Sequence, residues 1–501
     1  MTSIDWCQRA QQADLRIRHF IEGDYVNTTQ GDCIEKYAPR DGSLLYQLPV
    51  GTPEEMQRAI VSARQAYNDK RWRGLRLHQR QAILRILSGL VESHRETLAL
   101  YESMDTGKPI TQALSEVRDA SNILREAANG ADKLFSAYAS DGAYCAYQLR
   151  KPVGVVGAII PWNYPLVIAA LKIGPALIMG NSLVLKPSEY TALSANYLVT
   201  LALDAGVPPG VLNLVHGAGH IVGATMAHHS DVDLLSFTGS SVTGKQIQIA
   251  AGQSNMKRLL LECGGKSPYI VFDDCPADLD MLAADIVGTA FENQSQNCMA
   301  GSRLLIQSSI KEKLLPKVVE QAAQLVPQDP LNSSTTFGAM IHEDHMNKVL
   351  AYIDSGEKEG ATRIIGGKRV HVDTGNTDNE GFYVEPTIFD NVDPKQKIAQ
   401  EEIFGPVLSV LTFNTEQEAI ELANDTCYGL AAYVATENMG RAQRLSQDIN
   451  AGTVMFMSTS TPVECFRELG KEGHLESGFG NEGGLLGLAS YSLSTAVHQW
   501  T

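Results

Sequence analysis

Between Val153 and Gly265, apolar runs alternate with helical stretches, and this rhythm constrains the fold more than any other property of the chain. The runs are VGVVGAII (153–160), SLVLK (182–186), GVLNLV (210–215), DLLSFTG (233–239) and KRLLLECGG (257–265). Continuous apolar runs, as opposed to alternating ones, suit strands buried on both faces. Strand–helix alternation builds a parallel sheet covered by helices on both sides. Ligands in such sheets sit beyond the carboxyl ends of the strands. Every polar cluster discussed below is expected at such an end.

A second α/β segment follows from about Lys266 to Ala451, with SPYIVF (267–272), RLLIQ (303–307), PVLSVLTF (406–413) and AAYVAT (431–436) as strands. A chain of 501 residues needs this second unit, because one core stops growing near ~250–300 residues. From about Pro53 to Phe135 the pattern is helical, with Ile83, Ile86, Leu87 and Leu90 at three- and four-residue spacing. Tyr144–Leu149 and the tail ASYSLSTAVHQW alternate like strands. The tail strand is expected to pair with 144–149 or with another subunit.

Residues 153–171 carry no charge over a membrane-spanning length. Pro161 and Pro165, four apart at the centre, would break a helix there. A buried strand, a tight loop and then a helix is the expected reading. The net charge is 41 − 57 = −16, and no basic run offsets it. An acidic surface argues against nucleic acid and anionic membranes as partners. Eight scattered cysteines form no C-x-x-C pair, which suits reduced thiols in a cytoplasmic protein. The charged N-terminus shows no secretion signal. None of the histidines has the spacing of metal ligands.

Five segments carry candidate chemistry. Cys298 lies in FENQSQNCMAGSR. A lone cysteine is more often a small buried hydrophobe, but its polar and small neighbours make a poor core and suit a loop-to-helix turn presenting a thiol. Helix N-termini lower thiol pKa values. Glu262 ends an apolar strand before two glycines. It is either a salt-bridged carboxylate or a general base whose pKa burial raises. Asn163, in IIPWNYP, is either a turn residue or an amide able to donate to an oxyanion. Lys186 and Glu189, in LKPSE, suit ribose hydroxyls, and a carboxylate there would repel a 2′-phosphate. Gly239 and Ser240, in FTGSSVTG, sit at a strand–helix junction whose backbone N–H groups can bind phosphate. The G-A-G of 217–219 is a weak signal alone.

Together these segments resemble the aldehyde dehydrogenase superfamily. PWNYP, LKPSE, FTGSS, LECGGKSP, the Cys298 segment, EEIFGP (401–406), CYGLAAYV and SGFG occur in that family's order over nearly the whole chain. The match is nearest to the branch acting on betaine aldehyde and aminoaldehydes. The resemblance implies a Rossmann-like cofactor domain (1–129 and 152–262), an α/β catalytic domain (263–455) and a small β oligomerisation arm (130–151 and 480–501). It implies Cys298 as nucleophile, Asn163 in the oxyanion hole and Glu262 as the base that activates water. It implies NAD as cofactor, with Lys186 and Glu189 on the adenosine ribose and Ser240 and Gly239 at the pyrophosphate. Glu402 would hold the nicotinamide ribose, with Phe404 near the ring and Trp162 lining the cleft. A small-molecule aldehyde as substrate and a homodimer or homotetramer follow. Relatives that pass the acyl group to coenzyme A do not need the base, so Glu262 favours hydrolysis. A non-catalytic protein on the same fold would not need Cys298 and Glu262 together.

Several positions depart from the family pattern. Ser295 stands where glycine is usual, and a positive φ there would cost roughly 1 kcal/mol. Cys263 replaces leucine. VMFM (454–457) and GKEGHLESG (470–478) replace segments that shape the substrate mouth and a subunit contact. Leu171, where many members carry an aromatic, implies a wider tunnel.

Overall fold

The computed structural model describes residues 4–26, 33–457 and 469–500. Part of the atypical 454–478 region, residues 458–468, lies outside the described residues.

Five parallel strands form the centre of the first sheet, in the spatial order Leu212–Leu214, Ser182–Lys186, Val155–Ile159, Leu234–Thr238 and Arg258–Glu262. The chain starts in the middle, winds outward to one side, then returns and winds to the other. The reversal falls between Val155–Ile159 and Leu234–Thr238, which opens a crevice beyond their carboxyl ends. His19–Ile21 and Asp24–Val26 extend one edge, and Gly478–Phe479 pairs antiparallel with Glu262 at the other. Successive side chains of a strand point to opposite faces. Val156, Leu183 and Leu234 accordingly join Leu84, Leu124 and Leu198 in one core. Val155, Val184 and Leu235 join Met56 and Ile60 on the other face. Both faces are covered, as the unbroken apolar runs require.

The second sheet has the order Thr362–Ile365, Thr387–Asp390, Val407–Phe413, Arg303–Gln307, Pro268–Val271, Ala431–Ala435 and Thr453–Phe456. All but the first of these strands run parallel. Its two faces also bury separate cores, Ile270 and Leu305 on one side and Tyr269, Val271 and Leu304 on the other. The chain crosses from the first sheet to the second through residues 263–267 alone.

The uncharged stretch divides as expected into the strand Val155–Ile159, a loop and the helix Pro165–Ile178. Proline starts that helix because its missing N–H is unpaired in a first turn anyway. No helix among the described residues is long and apolar enough to cross a membrane. Residues 53–135 are helical, opening at a capping box between Thr52 and Glu55. Of the four apolar residues that signalled Leu77–Ser93, Leu87 is buried and Ile86 is exposed, while Leu84 and Val91 complete the buried face. The tail strand Ser492–Trp500 finds its partner within the chain. It pairs antiparallel with Tyr144–Pro152, from Ser492 opposite Pro152 to Trp500 opposite Tyr144. The helix Gly484–Ser490 before it rests on the helix Ile110–Gly130, where a Cβ at Gly130 would meet Leu488 at 2.8 Å.

Candidate active site

Asn163 lies beyond the carboxyl end of Val155–Ile159, in the crevice, and is 5% exposed. Its Nδ2 donates to the Gln296 carbonyl at 3.0 Å, which leaves one N–H of the amide. Its own carbonyl accepts from Asn293 Nδ2 at 3.1 Å and from Lys108 Nζ at 2.8 Å. Lys108 is in turn ion-paired with buried Glu116 and lies over the Tyr164 ring. Asn163 is thus fixed through both its backbone and its side chain.

The Asn293–Gln296 contacts tie this loop to the segment bearing Cys298. Asn293, Gln294 and Ser295 have φ of 51°, 56° and 56°, three consecutive left-handed residues without a glycine. The strain expected at Ser295 is therefore present. Ser295 Oγ donates to the Ala290 carbonyl at 2.5 Å, a bond that glycine could not make. The expected loop-to-helix turn at Cys298 is absent. After Cys298 come a turn closed by Ala300 N–H to the Asn297 carbonyl and the strand Arg303–Gln307, so no helix N-terminus assists the thiol. Burial pushes the half-buried thiol up to about 11; Lys471 pulls it down, and Glu402 and Glu262 push it further up.

A second correction concerns orientation. Cys298, Glu402 and Phe404 precede their strands instead of following them. The crevice is closed by carboxyl ends of the first sheet and amino ends of the second. Contact between the two sides is close at two glycines. A Cβ on Gly265 would lie 2.3 Å from the Cys298 carbonyl oxygen, and one on Gly264 would lie 2.3 Å from Glu402 Oε2. Only glycine permits that approach.

Glu262 ends its strand at 3% exposure. Burial raises its carboxyl to about 7, against the pull of Lys471. The two alternatives read from the sequence coexist, since Glu262 is both ion-paired and shifted toward the range of a working base. Lys471 Nζ stands 3.4 Å from Glu262 Oε2 and 3.8 Å from Glu482 Oε2. Lys172 Nζ stands 2.8 Å from Glu482 Oε1 and donates to Ser236 Oγ at 3.0 Å. Both Glu262 oxygens lack a hydrogen-bond partner among the described residues.

The cofactor candidates line the same crevice. Lys186 is buried at the end of its strand and donates to Glu189 Oε2 at 3.1 Å. Burial would raise the Glu189 carboxyl, but Lys186 and backbone N–H groups outweigh it and hold it below the ordinary range. Ser240 caps the helix Ser241–Gln253, accepting from Thr243 N–H at 3.3 Å, and Gly239 precedes it at the strand end. Buried Thr238 Oγ1 beside them lacks a partner among the described residues. Glu402 Oε1 accepts from Gly265 N–H at 2.9 Å, and burial raises the carboxyl to about 7. Trp162 meets Phe404 edge-to-face at 5.1 Å, and His345 Nε2 donates to the Phe404 carbonyl at 2.7 Å. A dinucleotide fits this arrangement: a helix start able to accept an anion, a carboxylate beside the end of a strand and a second carboxylate across the crevice.

Sequence reasoning missed Lys108, Glu116, Lys172, Lys471 and Glu482. Lys172 had a usable signal, as the one charge in an otherwise apolar buried helix. Lys471 lay within a segment recognised as atypical.

Known proteins match this chain throughout. An aminoacetaldehyde dehydrogenase of Pseudomonas aeruginosa is 41% identical over 477 residues, covering 94% of this chain and 93% of the relative. The NADP/NAD-dependent aldehyde dehydrogenase PuuC of Escherichia coli is 39% identical over 491 residues, covering 97% and 96%. Among solved structures, the Pseudomonas syringae indole-3-acetaldehyde dehydrogenase AldA, a mutant in complex with NAD+ and IAA, superposes with a TM-score of 0.95. It is 42% identical and covers 99% of each chain. The profile of the Aldehyde dehydrogenase family matches residues 25–497, and the chain belongs to that family.

Proposed function

We propose that this protein oxidises an aldehyde to its carboxylic acid with NAD as hydride acceptor, through a covalent adduct on Cys298. The carrying observation is convergence. A thiol, a buried carboxylate raised to about 7 and a fixed side-chain amide come from three separate segments to one crevice. The Cys298 thiolate attacks the aldehyde carbon, forming a C–S bond, and the carbonyl electron pair moves onto oxygen. The free N–H of the Asn163 amide stabilises that oxyanion. Held in the crevice by Lys186, Glu189, Ser240 and Glu402, NAD would supply a hydride acceptor; loss of hydride from the adduct carbon as its C=O bond re-forms leaves a thioester on Cys298. Glu262 takes a proton from water, whose oxygen attacks the thioester carbon. The C–S bond breaks, the acid departs and Cys298 keeps the electron pair.

Lys186 and Glu189 serve the adenosine ribose in this reading, Gly239 and Ser240 the pyrophosphate, and Glu402 the nicotinamide ribose. Trp162 and Phe404 form the wall beside the ring. The Glu189 carboxylate, held ionised by Lys186, supports NAD over NADP. Residues 1–129 and 152–262 form the cofactor domain and 263–455 the catalytic domain. Residues 130–151 and 480–501 form an arm through which a homodimer or homotetramer assembles, a role supported by exposed Tyr138 and Trp500. A cytoplasmic location suits the seven described cysteines, all of them free.

NADH formation against a panel of aminoaldehydes, betaine aldehyde, aliphatic and aromatic aldehydes tests the reading, with NAD and NADP in parallel. Aminoaldehydes lead the panel because of the P. aeruginosa relative's name. Cys298→Ala should abolish turnover while NAD binding persists; turnover surviving in that variant would remove Cys298 from the role of nucleophile.

A further inference from the structure

Glu262, Glu482, Lys172 and Lys471 form a buried quartet with two charges of each sign. Lys471 enters it from a segment whose position is fixed by backbone pairing. Its N–H donates to the Glu482 carbonyl at 2.8 Å, and Glu482 N–H donates back to the Lys471 carbonyl at 2.9 Å. Gly470 before it has φ of 76°, and a Cβ there would lie 2.5 Å from the Gly483 carbonyl oxygen, so the approach to Glu482 is tightly constrained. Among the described residues, Lys471 is the only cation within 4.0 Å of the Glu262 carboxylate.

We propose that Lys471 is a positioning residue for the reaction: its ammonium, seated between Glu262 and Glu482 in the crevice that holds Cys298, supplies the positive charge that lets the site hold an anion on the carboxylate or on the sulfur. The proposal rests on the functional reading above, and it assigns Lys471 a task distinct from base or nucleophile. Without Lys471 the quartet would carry a net negative charge. A second anion on Cys298 would then meet Glu262 and Glu402, with Lys172 already paired to Glu482. Uncompensated buried charge is avoided by protonation, which would leave Cys298 a thiol and Glu262 an acid. Burial opposes the ammonium, but Glu262, Glu482 and Cys298 outweigh it and raise Lys471 above its ordinary range, so it stays charged wherever the reaction runs.

The groups facing each partner fix the expected signs. Glu262 faces Lys471, Glu482 and Lys172. Cys298 faces Lys471, Glu402 and Glu262. Removing Lys471 therefore moves both ionisations to higher pH, and removing the Glu482 charge moves the Glu262 ionisation to lower pH. The test is iodoacetamide alkylation of Cys298 as a function of pH, read by peptide mass spectrometry on the full chain, beside NADH turnover and thermal melting. Lys471→Met should move the alkylation midpoint up by about one pH unit, slowing alkylation roughly tenfold at neutral pH. Lys471→Arg should stay near wild type, and Glu482→Gln should lower the pH at which steady turnover rises, through Glu262. A folded Lys471→Met protein with an unmoved midpoint overturns the proposal. If Lys471→Met does not fold, Lys471→Gln decides: an unmoved alkylation midpoint in that folded variant is equally fatal. An unmoved alkylation midpoint with wild-type turnover intact sinks the role of Lys471 alone. A wild-type chain that oxidises no aldehyde sinks the reading beneath it.

Discussion

Glu262→Gln removes the proposed base while keeping the side chain's volume, and the proposed mechanism puts the loss in one half of the reaction. In the wild type the carboxyl sits at about 7. Its ionised fraction is then about 0.1 at pH 6 and about 0.9 at pH 8, so the hydrolytic rate should rise about ninefold over that interval and then flatten. General-base catalysis contributes about 10²- to 10⁴-fold, equivalent to about 3–5 kcal/mol of barrier. The variant should lose that factor from steady turnover and lose the rise centred near 7. Acylation should survive, because one of the two negative charges that push Cys298 up is gone and the pull of Lys471 remains. Stopped-flow NADH absorbance should show a burst of one equivalent per site followed by a stall, with the acyl group recoverable on the Cys298 peptide. Wild-type steady turnover in the variant, or an undiminished pH step near 7, would refute the assignment. Loss of the burst itself would move Glu262 to the acylation step.

Three further outcomes follow from other parts of the site. Glu189→Ala should relax the preference for NAD, since the carboxylate that would repel a 2′-phosphate is gone; the ratio of kcat/KM with NAD and NADP measures it, and an unchanged ratio counts against the ribose contact. Lys108→Met strands Glu116 in the interior and frees the Asn163 carbonyl, which should cost about 3 kcal/mol in urea denaturation at neutral pH. Glu116 already sits at about 7 through burial; without Lys108 it rises further, so the deficit should grow as pH climbs through about 7 and shrink below it. An equal deficit at pH 5 and pH 8 would contradict this. Gly265→Ala drives a methyl group to 2.3 Å from the Cys298 carbonyl oxygen, and a misplacement of about 1 Å can cost about a hundredfold in kcat; wild-type kcat in that variant would show that the loop can retreat without consequence.

Much of this architecture was legible because it is local. A run such as SLVLK or RLLIQ reads as a buried strand from its own residues, and both runs appear unaltered as Ser182–Lys186 and Arg303–Gln307. Glu262 could be singled out because a carboxylate at the end of an apolar strand has few inexpensive explanations. The support around the candidates was not legible. Lys108 reaches Asn163 across 55 positions, and Lys172 reaches Glu482 across 310; no periodicity encodes such distances. The orientation of the second sheet was misread for a related reason. Strand ends are visible in a sequence, but the end that faces a neighbouring sheet is decided by packing. Cys298 stands out as a candidate from its polar neighbours, while the helix expected to assist it is absent. Its charge partner came instead from GKEGHLESG, a stretch recognised only as unusual.

The link between the two sheets has a bearing on how such enzymes can change. Glu262 is the last residue of one sheet, and Cys298 rests its carbonyl on Gly265, within the five residues 263–267 that lead to the other. The approach of these two proposed site residues is thus set in part by a pentapeptide. Helices and loops on either side can lengthen, drift or be exchanged while that contribution is inherited intact. Chimaeras between relatives should therefore tolerate crossovers in most loops, and fail where the junction interrupts 262–268.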